Sequence, residues 1–194
     1  MPWLWVNIFE LLPVRRQNIM FSATMTDDIE LFITDFFTGV QKISIAVSGT
    51  PLENITQFGY ATPNFYTKVN LLVNLLQKEE EFHKVLVFVS SKRLRSINQF
   101  DEGKNRILVT TDVMARGLDL QEISHVINFD TPIYPENYMH RIGRTGRAEK
   151  EGTSILLFTP NEEEAKDAIE DLMLQKVNLL DLPSDVEVAT KLTF

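Results

Sequence analysis

The octapeptide His140-Arg141-Ile142-Gly143-Arg144-Thr145-Gly146-Arg147 sets three arginines at every third position around two glycines. A guanidinium is planar, permanently charged and matched to phosphate oxygens. Glycines let the backbone turn and carry such groups to a ligand that a regular helix would not reach. A solvated basic face has the same composition, since charged surface is common. A second cluster runs Thr110-Thr111-Asp112 and then Ala115-Arg116-Gly117-Leu118-Asp119. Alone it reads equally well as a helix ending on glycine with an incidental acid. Ser90-Ser91-Lys92 offers hydroxyls and an ammonium. Ser22-Ala23-Thr24, taken by itself, is no more than a helix N-cap. His83, His125 and His140 lack metal-ligand spacing, and with no cysteine a disulfide or a zinc–thiolate site is impossible.

These groups must be positioned by a scaffold. Four apolar, β-rich runs, Val85–Val89, Ile107–Val109, His125–Phe129 and Thr153–Phe158, are continuous rather than alternating. That pattern predicts strands buried on both faces, hence a mostly parallel sheet with helices on both sides. In such sheets ligands bind beyond the carboxyl ends of the strands. Ser90-Ser91-Lys92, Thr110-Thr111-Asp112 and Asp130-Thr131-Pro132 each follow a run, so they are expected on one rim. Ile55–Tyr60 reads as an edge strand. A helix is expected at Tyr66–Lys78 with Val69, Leu72, Val73 and Leu76 on its apolar face, and another over Glu162–Gln175. Nearer the amino terminus, Thr26 would cap a helix carrying Asp27 and Asp28 in its first turn, with Ile29, Phe32, Ile33, Phe36 and Phe37 at helical spacing and Gly39 ending it. Asn18–Phe21 is a short apolar run, and Ile43–Ala46 a short strand. Ser48-Gly49-Thr50-Pro51 reads as a linker. The divisions expected are 1–47, a linker at 48–54, a domain at 55–176, and an extension at 177–194 that packs loosely.

The chain has 194 residues, 44% hydrophobic and 24% charged, which suits a folded domain rather than disorder. Its net charge of -8 speaks against a nucleic-acid binder. The charge is uneven, however. Lys84, Lys92, Arg93, Arg95, Lys104, Arg106 and Arg116 stand against only Asp101, Glu102 and Asp112, which allows a local basic groove. Residues 1–9 lack the basic start and small-residue site of a signal peptide and are too short to span a bilayer. No membrane association is expected, and the composition permits a cytoplasmic address.

In order, the segments IMFSATMT, LVFVSSK, ILVTTDVMARGLDL and HRIGRTGR resemble motifs III, IV, V and VI of the DEAD-box ATP-dependent RNA helicases of superfamily 2. The resemblance covers about Leu11 to Phe158, and the tail around Leu180–Val188 is similar to bacterial RhlE-like members. It implies the second RecA-like lobe, an α/β fold, preceded by a remnant of the first lobe that carries the Ser-Ala-Thr motif. It implies that Arg144 and Arg147 reach a triphosphate held by the first lobe as arginine fingers. Gly117 and Asp119 would meet ATP, the acid at its ribose. Ser90, Lys92, Arg93, Thr111 and Gly117 would meet the RNA backbone without reading sequence. Ser22, Thr24, His140 and Arg141 would couple the lobes. The implied cofactor is ATP with Mg²⁺, bound mainly by the first lobe. The implied partners are RNA and that lobe, in a monomer.

The chain departs from the family pattern in three places. No P-loop and no Asp-Glu-Ala-Asp tetrad occurs, so the residues that cradle the triphosphate and hold Mg²⁺ are lacking. Residues 1–10 do not resemble what precedes Leu-Leu-Pro in the family. Between Ser91 and Arg95 the chain is short by roughly one βαβ unit, about 30 residues, although a helix at Arg93–Phe100 and a turn at Glu102-Gly103-Lys104 can still make the crossover. Loss of an inner strand would leave its neighbours unpaired. The expectation is therefore a helicase fragment without ATPase activity of its own. A non-catalytic RNA-binding or interaction module is the rival. A Rossmann domain is disfavoured because no Gly-x-Gly-x-x-Gly follows the first strand. A DNA translocase of the same superfamily fits less well, because His rather than Gln opens the arginine motif.

Overall fold

The computed structural model describes residues 8–9, 11–22, 25, 27–43, 54–90, 105–115, 122–146 and 150–189. The chain divides into two compact units, Met1–Ala46 and Val47–Phe194.

In the first unit, helix α1 spans Asp27–Phe36. The helical spacing of Phe32 and Phe36, with Phe37 following, gathers three rings around Phe9, at centroid distances of 5.5, 4.9 and 6.0 Å. Arg16 lies 5.0 Å over the Phe9 ring. Gly39 takes φ +65°, a turn that few other residues accept, just beyond the helix. The apolar run at 18–21 forms no strand, and Ile19 and Phe21 are exposed. Among the described residues of this unit it has no strand to pair with. Thr24, the Thr26 cap and 44–46 lie outside the described residues.

The second unit is one parallel sheet. Its strands are β1 (Ile55–Ala61), β2 (Val85–Phe88), β3 (Ile107–Thr110), β4 (His125–Asn128), β5 (Gly152–Phe158) and β6 (Asn178–Leu179). The order is β3-β2-β4-β5-β1-β6, and every pairing is parallel. The continuous apolar runs are explained by burial on two faces. On one, Val85, Val87, Ile127, Ile155 and Leu157 pack with Leu71 and Leu75 of helix α2 (Phe65–Gln77). On the other, Leu86, Phe88, Leu108 and Val126 meet Ala115 of the short helix α3 (Asp112–Ala115). Further along that face, Leu156 and Phe158 meet Tyr138 and Ile142 of α4 (Pro135–Ile142) and Ile169 of α5 (Glu163–Met173). Each fully buried Leu or Ile of this kind contributes about 2 kcal/mol.

Four local expectations change. First, β1 is interior, because β6 pairs on its outer side. Gly59 makes this possible: a Cβ there would stand 2.9 Å from the Leu179 side chain and 3.0 Å from that of Val177. Second, the segment after 176 belongs to the unit. Val177 and Val186 are buried, and Asn70 and Asn74 of α2 donate to the Glu187 carbonyl at 3.0 Å and to Asp185 at 2.6 Å. Third, α2, capped by Asn64 accepting from the Thr67 N–H, buries Thr67, Lys68, Leu71 and Leu75 while Val73 is exposed. Val69, Leu72 and Leu76 only flank the core. Fourth, the sheet has no gap: β2 pairs with both β3 and β4, and β3 lies last in the order. The helix expected at Arg93–Phe100 lies outside the described residues.

Lys68 sits on the buried face of α2, and its partners lie at the strand ends. Its Nζ donates to the Phe129 carbonyl at 2.8 Å and to Glu162 at 2.6 Å. Glu162 also accepts from the N–H of Thr131 and from the N–H and hydroxyl of Thr159. Burial opposes the Glu162 charge, but Lys68 and Thr159 outweigh it and hold the carboxyl below its ordinary pKa. A lowered carboxyl stabilises fully above its unfolded value, about 4.3, and loses that contribution as pH falls through the folded value. With Lys68 only 3% exposed, Glu162→Gln strands a buried cation and is expected to cost about 3 kcal/mol in urea unfolding at pH 7. The variant should also lose stability less steeply than the wild type below about pH 4; equal slopes would show that the pair does not carry this dependence.

Candidate functional site

Parallel register brings the strand ends together. Phe88, the last residue of β2, lies beside Thr110 and Asn128, the last residues of β3 and β4. The residues that follow, Ser90, Thr111-Asp112 and Asp130-Thr131, therefore share the carboxyl-terminal rim, as the apolar runs implied. Short backbone bonds keep the ends in step: Val89 N–H donates to Thr110 O at 2.9 Å and Phe129 N–H to Phe88 O at 3.0 Å.

Arg141 links the rim. Its Nε and Nη2 donate to the two oxygens of Asp112 at 2.7 and 2.8 Å. Its Nη1 donates to the Asp130 carbonyl at 2.8 Å and to Asn128 Oδ1 at 3.3 Å. The guanidinium lies 5.0 Å over the Phe88 ring, and the residue is 3% exposed. One side chain of α4 thereby ties the ends of β2, β3 and β4. On the outer side, Ser90 donates both its N–H and its hydroxyl to a single oxygen of Asp130, at 2.7 and 2.8 Å. Thr111 Oγ1 is enclosed and has no hydrogen-bond partner. Such a hydroxyl costs about 1–3 kcal/mol until an acceptor reaches it.

The later part of the arginine motif goes elsewhere. After α4 the chain descends alongside the sheet, and Thr145 bridges Ile123 and donates to its carbonyl, ahead of β4. Gly146 has φ +66°, and a Cβ there would strike the Ile55 side chain at the start of β1. The Arg144 backbone therefore lies towards the amino-terminal ends of the strands, away from Ser90 and Thr111. Arg144 is half-buried, and His140 is exposed. Ser22 lies in the other unit and is exposed. Thr24, Lys92, Arg93, Gly117, Asp119 and Arg147 lie outside the described residues.

Three participants escaped sequence reasoning: Asn128, the Asp130 carboxylate on Ser90, and the Lys68–Glu162 pair. For the pair a signal existed, a lysine at helical spacing from buried leucines. His125 belongs to the core: burial lowers its pKa to about 4, and its ring lies 4.3 Å from that of Phe82. Among the described residues no cluster of His, Asp and Glu could hold a metal ion, and no helix is long and apolar enough to cross a membrane.

The chain resembles known proteins in sequence and fold. The helicase conserved C-terminal domain matches residues 90–149, from Ser90 through the arginine motif. The chain is 34% identical over 200 residues to the DEAD-box ATP-dependent RNA helicase CshA of Bacillus cereus, covering 89% of this chain and 38% of the relative. It thus spans well under half the length of that relative. Among solved structures, the E. coli DEAD-box protein SrmB, bound to regulator of ribonuclease activity A, matches with TM-score 0.63 and 28% identity over 72% of this chain and 98% of that one. S. cerevisiae Dbp5, bound to RNA and ADP BeF3, matches in fold with TM-score 0.76 at 24% identity over 93% of this chain and 55% of that one. With its parallel RecA-like sheet and the motifs on it, the chain belongs to the DEAD-box helicase family and holds its C-terminal lobe.

Proposed function

We propose that this chain is the C-terminal part of an ATP-dependent RNA helicase, in which ATP binding and hydrolysis drive local unwinding of RNA duplexes. The observation that carries this is the convergence of Ser90, Thr111, Asp112 and Asp130 on one rim of a parallel sheet, inside the segment that matches the helicase domain. In this reading Ser90, Lys92, Arg93, Thr111 and Gly117 meet the RNA backbone. Gly117, Asp119, Arg144 and Arg147 serve ATP, with the two arginines as fingers. Arg144 approaches from the opposite end of the strands, which supports two ligands on different sides of one lobe.

Arg141, assigned with Ser22, Thr24 and His140 to coupling between lobes, acts in this proposal from within. Its fork is committed to Asp112, Asn128 and Asp130, so what it transmits is the relative placement of the strand ends. Mg²⁺ bound with ATP would neutralise phosphate charge. In this reading its ligands belong to the first lobe. The whole protein acts as a monomer in the cytoplasm, with RNA and the first lobe as partners. The absence of a P-loop and of the acid tetrad favours a second reading for the isolated chain, a non-catalytic RNA-binding module.

Purified chain supplied with ATP, Mg²⁺ and RNA should release phosphate only at background; RNA-stimulated turnover would contradict the assignment of the ATP cradle to the first lobe. RNA binding should be weak and salt-sensitive. Replacing Lys92 and Arg93 with Ala should reduce the slope of log affinity against log salt by about 1.4, roughly 0.7 per lost phosphate contact on a single strand. An unchanged slope places the groove elsewhere.

A further inference from the structure

Both donors that Ser90 can turn towards a ligand are in use. Its N–H and its hydroxyl converge on one carboxylate oxygen of Asp130, at 2.7 and 2.8 Å. Two donors meeting on one anionic oxygen make the arrangement that holds a phosphate oxygen, and charge shortens and strengthens both bonds. The position is open, with Ser90 exposed and Asp130 half-buried at the strand ends.

The anion in that position belongs to the protein, and its backbone is held. The Asp130 carbonyl accepts from Arg141 at 2.8 Å, its N–H reaches Phe88 O at 3.3 Å, and the next N–H, of Thr131, donates to Glu162 at 3.1 Å. With that backbone held, rotation of the side chain is the direct way to take the carboxylate off Ser90. Arg141 has given its fork to Asp112 and touches Asp130 at the carbonyl. Among the described residues the Asp130 carboxylate therefore has no ion-pair partner, and Ser90 is its principal hold. A phosphodiester oxygen and this carboxylate compete for the same donors and repel each other.

We propose that Asp130 occupies the phosphate seat formed by Ser90 and must swing away before RNA can enter it, so that this acid weakens RNA binding and speeds release. The proposal rests on the reading of this rim as the RNA side of the lobe and adds to it a named competitor. It gives the acid a sign opposite to that of a positioning residue, whose loss would weaken binding.

The test measures the affinity of the whole chain for a fluorescein-labelled single-stranded oligouridylate by anisotropy at about 50 mM salt, near the low end of the range where phosphate contacts dominate. Asp130→Ala should bind about tenfold tighter, the order expected for removing a like charge beside a phosphate. Asp130→Asn, which keeps an acceptor for Ser90 and loses the charge, should bind tighter too, and it decides by the same sign if the alanine variant fails to fold. Ser90→Ala should bind more weakly than the wild type. In the Ser90→Ala/Asp130→Ala double variant the gain should shrink, because only the Ser90 N–H remains of the two donors. Weaker or unchanged binding by a folded Asp130 variant overturns the proposal while leaving the RNA reading intact. So does a gain that is undiminished without the Ser90 hydroxyl. If the wild type and every variant fail to bind the oligouridylate, the RNA reading falls and the proposal falls with it.

Discussion

The Arg141 guanidinium lies against the Phe88 ring at 3% exposure, with its charge answered by both oxygens of Asp112 and its remaining edge turned to Asn128 and the Asp130 carbonyl. Taking a cation out of water costs several kcal/mol, and it is tolerated only where hydrogen bonds and countercharge are complete. Here that requirement constrains the backbone. Asp112 must open α3 directly after β3, Asn128 must end β4, and the turn at Asp130 must present its carbonyl inward. A guanidinium suits this because its flat fork addresses two directions at once, where an ammonium would be a single point of charge.

The same turn is held from the other side. Lys68 takes the Phe129 carbonyl, and Glu162 takes the Thr131 N–H. Residues 129–131 thus sit between two buried ionic groups, and the Asp130 side chain, reaching outward to Ser90, is the part left free to move. If this rim binds RNA as proposed, a held backbone carrying one displaceable acid gives a physical basis for gripping and releasing a strand. Thr111, whose hydroxyl is enclosed without a partner one residue before Asp112, lies on the same foundation.

Much of this could be read from residue order. Uninterrupted apolar runs such as Val85–Val89 announce strands covered on both faces, and parallel pairing then places whatever follows each strand on one rim. What could not be read were pairings without periodicity. β6 is two residues long and depends on the missing Cβ of Gly59, a close approach that no local pattern signals. The apolar spacing of Val69, Leu72, Val73 and Leu76 could not reveal that the buried face of α2 carries Lys68, whose partner lies 94 positions away. The spacing of the arginines in His140–Arg147 suggests phosphate chemistry for all three, and the family resemblance sets Arg141 apart as a coupling residue. The fold adds the physical reason: Arg141 is committed inside the lobe, and Arg144 is carried towards the other end of the strands.

Arg141 assembles the rim, and amide hydrogen exchange of Arg141→Lys tests this most directly. A lysine keeps the charge and loses the fork. Exchange should accelerate by about tenfold or more at the Ala115 amide and at residues 129–131, a local opening of the kind that precedes global unfolding. The β1–β5 ladder should keep its protection. Unchanged exchange at the rim, or a uniform loss of protection across the sheet, would contradict the account.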